Sequence, residues 1–410
     1  MRNKRKKRHK INNWKRFLTS VFILIAIMAL GIFLVCTFAF REPITFDKIE
    51  YESEKKIDFE AESALIEYMD LYYKSMQYLE VEDMTYLFED PESDAALVNQ
   101  TAIELLVESR QLKDVDLRID TGRYDLTIEN VEVNENEVKV HFTEDGYMNF
   151  DFMKDIESSI YDIENTITFV KVEDEYKIKE FDKVQSFFIM ITEDYKGGGR
   201  EELQKIKASH MKLIKANIAT MEQYKIDYEN EKGIKTIETT HSYDREKAVE
   251  YSSKWINTRN EEWAVFENNC QNHVSQSLHA GGIPFDYSGS NDSYLQWKYY
   301  DDAYDGRETA KGHVYTWSYV PFFQVYAKDN EGTGLVATVG ENIYYAEKGD
   351  VIHVGTKDDE SHAALVSDVY EKKGEVLDVL INSNSIDMQN YPLQAYSYPY
   401  ITLIKVHGYN

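Results

Sequence analysis

Cysteine is nearly absent from this 410-residue chain: there are two, Cys36 and Cys270. Cys36 lies inside an uncharged run, so no disulfide can form within the part that follows it. The sequence also has no pair of cysteines two residues apart and no pair of histidines four apart on one helix, the usual marks of a zinc site. Proline is scarce at 6 residues, while 43% of the chain is hydrophobic and 13% aromatic, with 31 tyrosines. That composition belongs to folded domains and excludes a disordered chain. Basic charge is lacking over most of the length. The first sixteen residues hold nine Lys and Arg and no acid, which leaves 37 basic against 73 acidic side chains beyond them. A body so acidic repels phosphate polyanions and excludes nucleic acid as the expected partner.

From Phe17 to Phe40 the chain reads FLTSVFILIAIMALGIFLVCTFAF, without a charge, and Arg41 closes the run. At ~1.5 Å per residue such a helix crosses a ~30 Å hydrocarbon core. The basic tail of residues 1–16 precedes it, so the positive-inside rule predicts a cytoplasmic N-terminus and an extracellular body anchored in the cell membrane by residues 17–40. A cleaved signal peptide is the competing reading, but Thr37-Phe38-Ala39 is a poor cleavage site and the apolar run exceeds the usual ~7–15 residues.

Beyond the run the periodicity changes twice. Leu65, Met69, Tyr72, Tyr73 and Met76 predict an amphipathic helix over 57–79, and Leu97, Leu105 and Leu106 a second over 94–112. From Tyr124 to Phe142 apolar and polar residues alternate around Asn134-Glu135-Asn136, a hairpin pattern repeated about Glu173-Asp174. Residues 55–195 therefore read as an extracytoplasmic α+β domain with no catalytic cluster, whose role and protein partner the residues do not state. Gly197-Gly198-Gly199 breaks the pattern. Residues 196–235 then read as a helical linker: a stalk, or a helix packed on either neighbour.

Residues 241–410 differ in texture. Cys270 opens a stretch in which Val274 and Leu278 are four apart and Gly281 can end a helix. A thiol in the first turn of a helix feels free N–H groups and the positive dipole end, both of which favour thiolate. A base is expected from the short apolar strands around His353 and His362, and an orienting amide from Asn384 after a third strand. Cysteine, histidine and amide in that order match the papain-like arrangement of nucleophile, base and orienting group. A metal reading of Cys270, His273, His353 and His362 lacks the spacing zinc requires, so neither metal nor cofactor is expected.

The stretch from about Tyr243 to Val406 resembles the bacterial putative amidase domain, related to the NlpC and CHAP groups of papain-like cell-wall hydrolases. The resemblance is carried by Tyr243-Asp244-Arg245, by Cys270 with Asn272, Val274, Ser275 and Gln276, and by Ala280-Gly281-Gly282. Trp317, Gly349-Asp350-Val351-Ile352, Ser361-His362 and Pro392-Leu393 complete it. The family usually has Asp before the cysteine, Phe three residues after it and His-Thr-x-Asp near the third strand. Here these are Asn269, His273 and Asn384-Ser385-Ile386-Asp387.

The resemblance implies a papain-like α+β fold in which Cys270 is the nucleophile, His362 the base and Asn384 the orienting group. Asn272, Gln276, Trp297 and Trp317 are the candidates for lining a substrate cleft. The expected activity is hydrolysis of an amide bond in peptidoglycan through a thioester. The alternative, which the departures motivate, is an inactive amidase fold that binds wall fragments or signals at the wall.

Overall fold

The computed structural model describes residues 42–230, 237–288, 295–299, 313–356, 359–396 and 400–410. The expected membrane run and its basic tail lie outside these residues. Among the described residues no helix is long and apolar enough to cross a membrane.

The fold is mixed α+β around one large sheet. Strand β1 (Thr45–Tyr51) is followed by helices α1 (Phe59–Tyr78) and α2 (Asp94–Gln111). Each helix starts where its sequence supplies a cap: Asp58 accepts from the Ala61 amide and Ser93 from the Ala96 amide. The long strands β2 (Ile119–Asn134), β3 (Glu137–Phe150), β4 (Met153–Val172) and β5 (Glu175–Lys183) then form a meander. Along β3 burial alternates residue by residue, which puts Val138, Val140 and Phe142 against the two helices. Helices α3 (Ser186–Asp194) and α4 (Gly199–Asn230) follow. The α4 helix is not bare: Leu203 and Ile214 are buried, and Ile206, Met211, Ile218, Met221 and Tyr224 pack against the same core. Lys207 anchors it to α2 through Glu104 and Glu108.

The second half begins with α5 (Arg245–Lys254), capped by Asp244, and α6 (Cys270–Ala280). Next come α7 (Tyr315–Ser318), α8 (Val320–Asp329), β6 (Leu335–Glu341), β7 (Val351–Thr356), β8 (Asp359–Lys372), β9 (Glu375–Ser383), β10 (Asp387–Pro392) and β11 (Tyr400–Tyr409). The strand order is β1-β2-β3-β4-β10-β9-β8-β7-β11-β6, with β5 also on β4. Both halves therefore share a single sheet, joined where Asp387, Met388 and Gln389 of β10 pair antiparallel with Tyr161, Ile160 and Ser159 of β4.

Asp350 locks the second half. Its carboxylate is fully buried and meets Arg245 Nη1 at 2.7 Å and Lys405 Nζ at 3.4 Å, and it accepts from the Glu347 and Val406 amides. A buried carboxylate is tolerable only with such complete pairing. The Gly349-Asp350 pair thus serves to tie α5, β7 and β11 together.

Candidate active site

Cys270 is the first residue of α6, and its side chain is 6% exposed. Helix α6 packs on the face of β8 that carries Ala363 and Leu365, in a core with Val274, Leu278 and Val351. Burial raises the pKa of the thiol, opposed by main-chain amides of Ala363, Gln271 and Cys270 itself that point at the sulfur. The expected depression by the helix terminus is therefore outweighed by desolvation, and the resting group is the neutral thiol.

His362 stands one residue before Ala363 on β8. Ala363 faces α6, so alternation along the strand turns the His362 side chain toward the other face. Its Nε2 is bonded at 2.5 Å to Ser383 Oγ, and its ring stacks on Tyr396 at 6.0 Å with 19° between planes. Burial pushes its pKa down to about 4, so the imidazole is neutral at neutral pH. Among the described residues no hydrogen bond joins His362 to Cys270.

The side chain that meets the His362 imidazole is Ser383 and not Asn384. Successive side chains of a strand point to opposite faces. Asn382 bonds Ser253 Oγ at 3.0 Å and Asn384 bonds Ile256 O at 2.9 Å, both toward α5, while Ser383 between them turns to the imidazole. Asn384 instead accepts from Asn269 Nδ2 at 2.6 Å, and the Asn269 amide donates to Ser385 Oγ at 2.8 Å. Asn269 and Asn384, two of the departures from the family pattern, are thus partners that hold the start of α6 against the end of β9.

The four residues expected to line a substrate cleft are placed otherwise, because their polar atoms are used inside the protein. Asn272 donates to Ala264 O and accepts from Trp317 Nε1, each within 2.9 Å. Trp297 Nε1 donates to Ser275 Oγ at 3.2 Å, and Trp297 and Trp317 are wholly buried with ring centroids 4.7 Å apart. Gln276 accepts from the Tyr251 hydroxyl at 2.8 Å. Among the described residues Gln276 borders a shallow crevice beside the start of α6 that Trp255, Arg259, Asn260, Val265 and Asn269 also line.

The other histidines diverge. His273 meets Ser252 Oγ at 2.9 Å, and burial holds its pKa down to about 3. His353 meets Gln271 Oε1 at 3.0 Å, and burial likewise lowers it to about 3. With Ser383 on His362, each imidazole faces a different partner, and among the described residues no set of three or more His, Cys, Asp or Glu is placed to hold a metal ion. Sequence reasoning missed Ser383 and the Ala363 amide; the signal for the first was the period-two alternation of β9.

Residues 242–408 match the model of a family described as "Putative amidase domain". Over 60 residues the chain is 45% identical to an uncharacterised protein of Bacillus subtilis (strain 168), YhbB. That match takes in 14% of this chain and 19% of the relative, so it speaks for a short stretch of each.

Proposed function

We propose that this protein hydrolyses an amide bond in peptidoglycan with Cys270 as nucleophile and His362 as base. One observation carries the reading: within the segment that matches the amidase family, the thiol opens a buried helix that packs on β8, the strand that carries the histidine. The same reading takes residues 17–40 as a membrane anchor that holds the enzyme on the outer side of the cell membrane.

In this mechanism Ser383 takes up Nε2, which leaves Nδ1 as the nitrogen free to accept a proton. Thiol and imidazole are both neutral at rest, so proton transfer accompanies attack. The sulfur adds to the substrate carbonyl as its proton passes to His362, and the developing oxyanion is met by main-chain N–H groups at the start of α6. The C–N bond then breaks, the amine leaves with the proton from His362, and water hydrolyses the thioester with His362 again as base. The mechanism requires the Nδ1 edge of the imidazole to come to the sulfur on substrate engagement while the Ser383 contact is kept.

Release of peptides from purified peptidoglycan tests this. The wild-type chain releases them, and Cys270→Ala and His362→Ala each abolish release; undiminished release by either variant overturns the assignment. A second reading is favoured by the resting partners of thiol and imidazole, neither of which is the other. In that reading the domain binds wall fragments without cleaving them. It fails if iodoacetamide alkylates Cys270 selectively at neutral pH and His362→Ala slows the reaction.

A further inference from the structure

Among the described residues from 44 to 230, the charged side chains that are buried are Arg110, Glu144 and Lys183. Glu144 and Lys183 answer each other directly, and Glu144 also accepts from the Tyr73 hydroxyl at 2.7 Å. Lys183 Nζ has Asn165 Oδ1 at 3.3 Å and lies 4.6 Å above the ring of Tyr72. Among the described residues Arg110 has no carboxylate partner. Its Nη2 donates to the Tyr391 hydroxyl at 2.7 Å and its guanidinium lies 5.8 Å from the Phe150 ring centroid, while Nε and Nη1 meet no acceptor among the described residues.

This is costly for a group that is 2% exposed and permanently charged. Donors sealed from water are nearly always answered, and a buried charge is nearly always paired. Tyr72, in the same core and under Lys183, carries a hydroxyl with no hydrogen bond among the described residues. Two unanswered N–H groups of one guanidinium fork and a net charge of +1 together describe a receptor for one negative charge.

We propose that Arg110 forms a buried site for a small monoanion, a halide or the carboxylate of a small acid. A dianion is disfavoured, because it would overcompensate the cluster and meet Glu144. The site lies where the two halves of the fold join: Arg110 ends α2, and Tyr391 belongs to β10, the strand that pairs with both β4 and β9. A bound anion braces that joint.

Crystals of the full chain soaked in sodium bromide test the proposal at the bromine absorption edge. The expected result is an anomalous peak within hydrogen-bond distance of Arg110 Nε and Nη1. Loss of the peak when acetate is added marks a site open to carboxylates, and persistence marks one for halides. No peak, with ordered water at the two nitrogens, overturns the proposal. In solution the Tm of the wild type rises with chloride against sulfate at matched ionic strength, by about 2 °C per tenfold once the site is more than half filled. Arg110→Met loses that dependence whatever its own stability; a dependence retained in the variant also overturns the site.

Discussion

Replacing Ser383 by Ala removes the hydroxyl that holds His362 Nε2 at 2.5 Å. Both groups are buried, so the imidazole nitrogen loses its partner with no water to replace it. Leaving such a group unsatisfied costs about 1–3 kcal/mol. In the proposed mechanism part of that cost falls on the tautomer, because there the bond to Ser383 reserves Nδ1 for the thiol. If the contact is retained in the transition state, kcat/KM falls about 5- to 150-fold, with the loss in kcat and KM nearly unchanged. The assay is release of amino groups from peptidoglycan, with Ser383→Thr as the variant that restores the hydroxyl. Asn384→Ala is the control one residue away. It removes bonds to Ile256 O and Asn269 and lowers stability, but leaves the imidazole held. Wild-type kcat in Ser383→Ala, or a larger kcat loss in Asn384→Ala once folded protein is counted, refutes the reasoning.

Three further outcomes follow from the packing and the buried charges. His273, with a folded pKa near 3 against 6.5, binds its proton far more readily in the unfolded chain, so its stabilising contribution is complete above pH 6.5 and is lost as pH falls toward 3. His273→Gln therefore flattens the dependence of unfolding free energy on pH by about 1.4 kcal/mol per unit between pH 6 and 4, read from urea midpoints; an unchanged slope contradicts it. Asp378 works in the opposite sense. Burial lifts its pKa from 3.8 to about 7, so Asp378→Asn removes a stability loss that builds as pH rises from about 4 and is complete above 7, and the variant gains on the wild type between pH 4 and 7. Trp317→Ala, which empties the centre of the aromatic core beside α6, costs about 3–5 kcal/mol in the same measurement.

Much of this arrangement was legible in the sequence where the signal was local. The helices at 59–78 and 94–111 follow from periodicity and the caps that Asp58 and Ser93 supply, and the hairpin turning at Glu135-Asn136 and the helix opening at Cys270 follow from periodicity. What escaped reading depended on contacts distant in sequence. The union of the two halves rests on a three-residue pairing of β10 with β4, more than 200 residues apart, which no pattern within either strand announces. Trp297, Trp317 and Asn272 looked like cleft residues because aromatic and amide groups suit ligands. They equally suit a core in which every N–H finds an acceptor, and the bonds of Trp317 to Asn272 and of Trp297 to Ser275 show that use. Asn384 was expected at the imidazole and Ser383, one residue earlier, stands there: on a strand one residue is enough to change faces, and serine carries none of the compositional weight that draws attention to asparagine.

The most direct test of the central claim is to mix the full chain with peptidoglycan fragments, quench in acid within the first turnover, and measure the intact mass and the peptide that contains Cys270. A thioester at Cys270, formed by the wild type and absent from Cys270→Ala, is the predicted result. Amide cleavage that proceeds without an adduct and survives in Cys270→Ala would contradict the account.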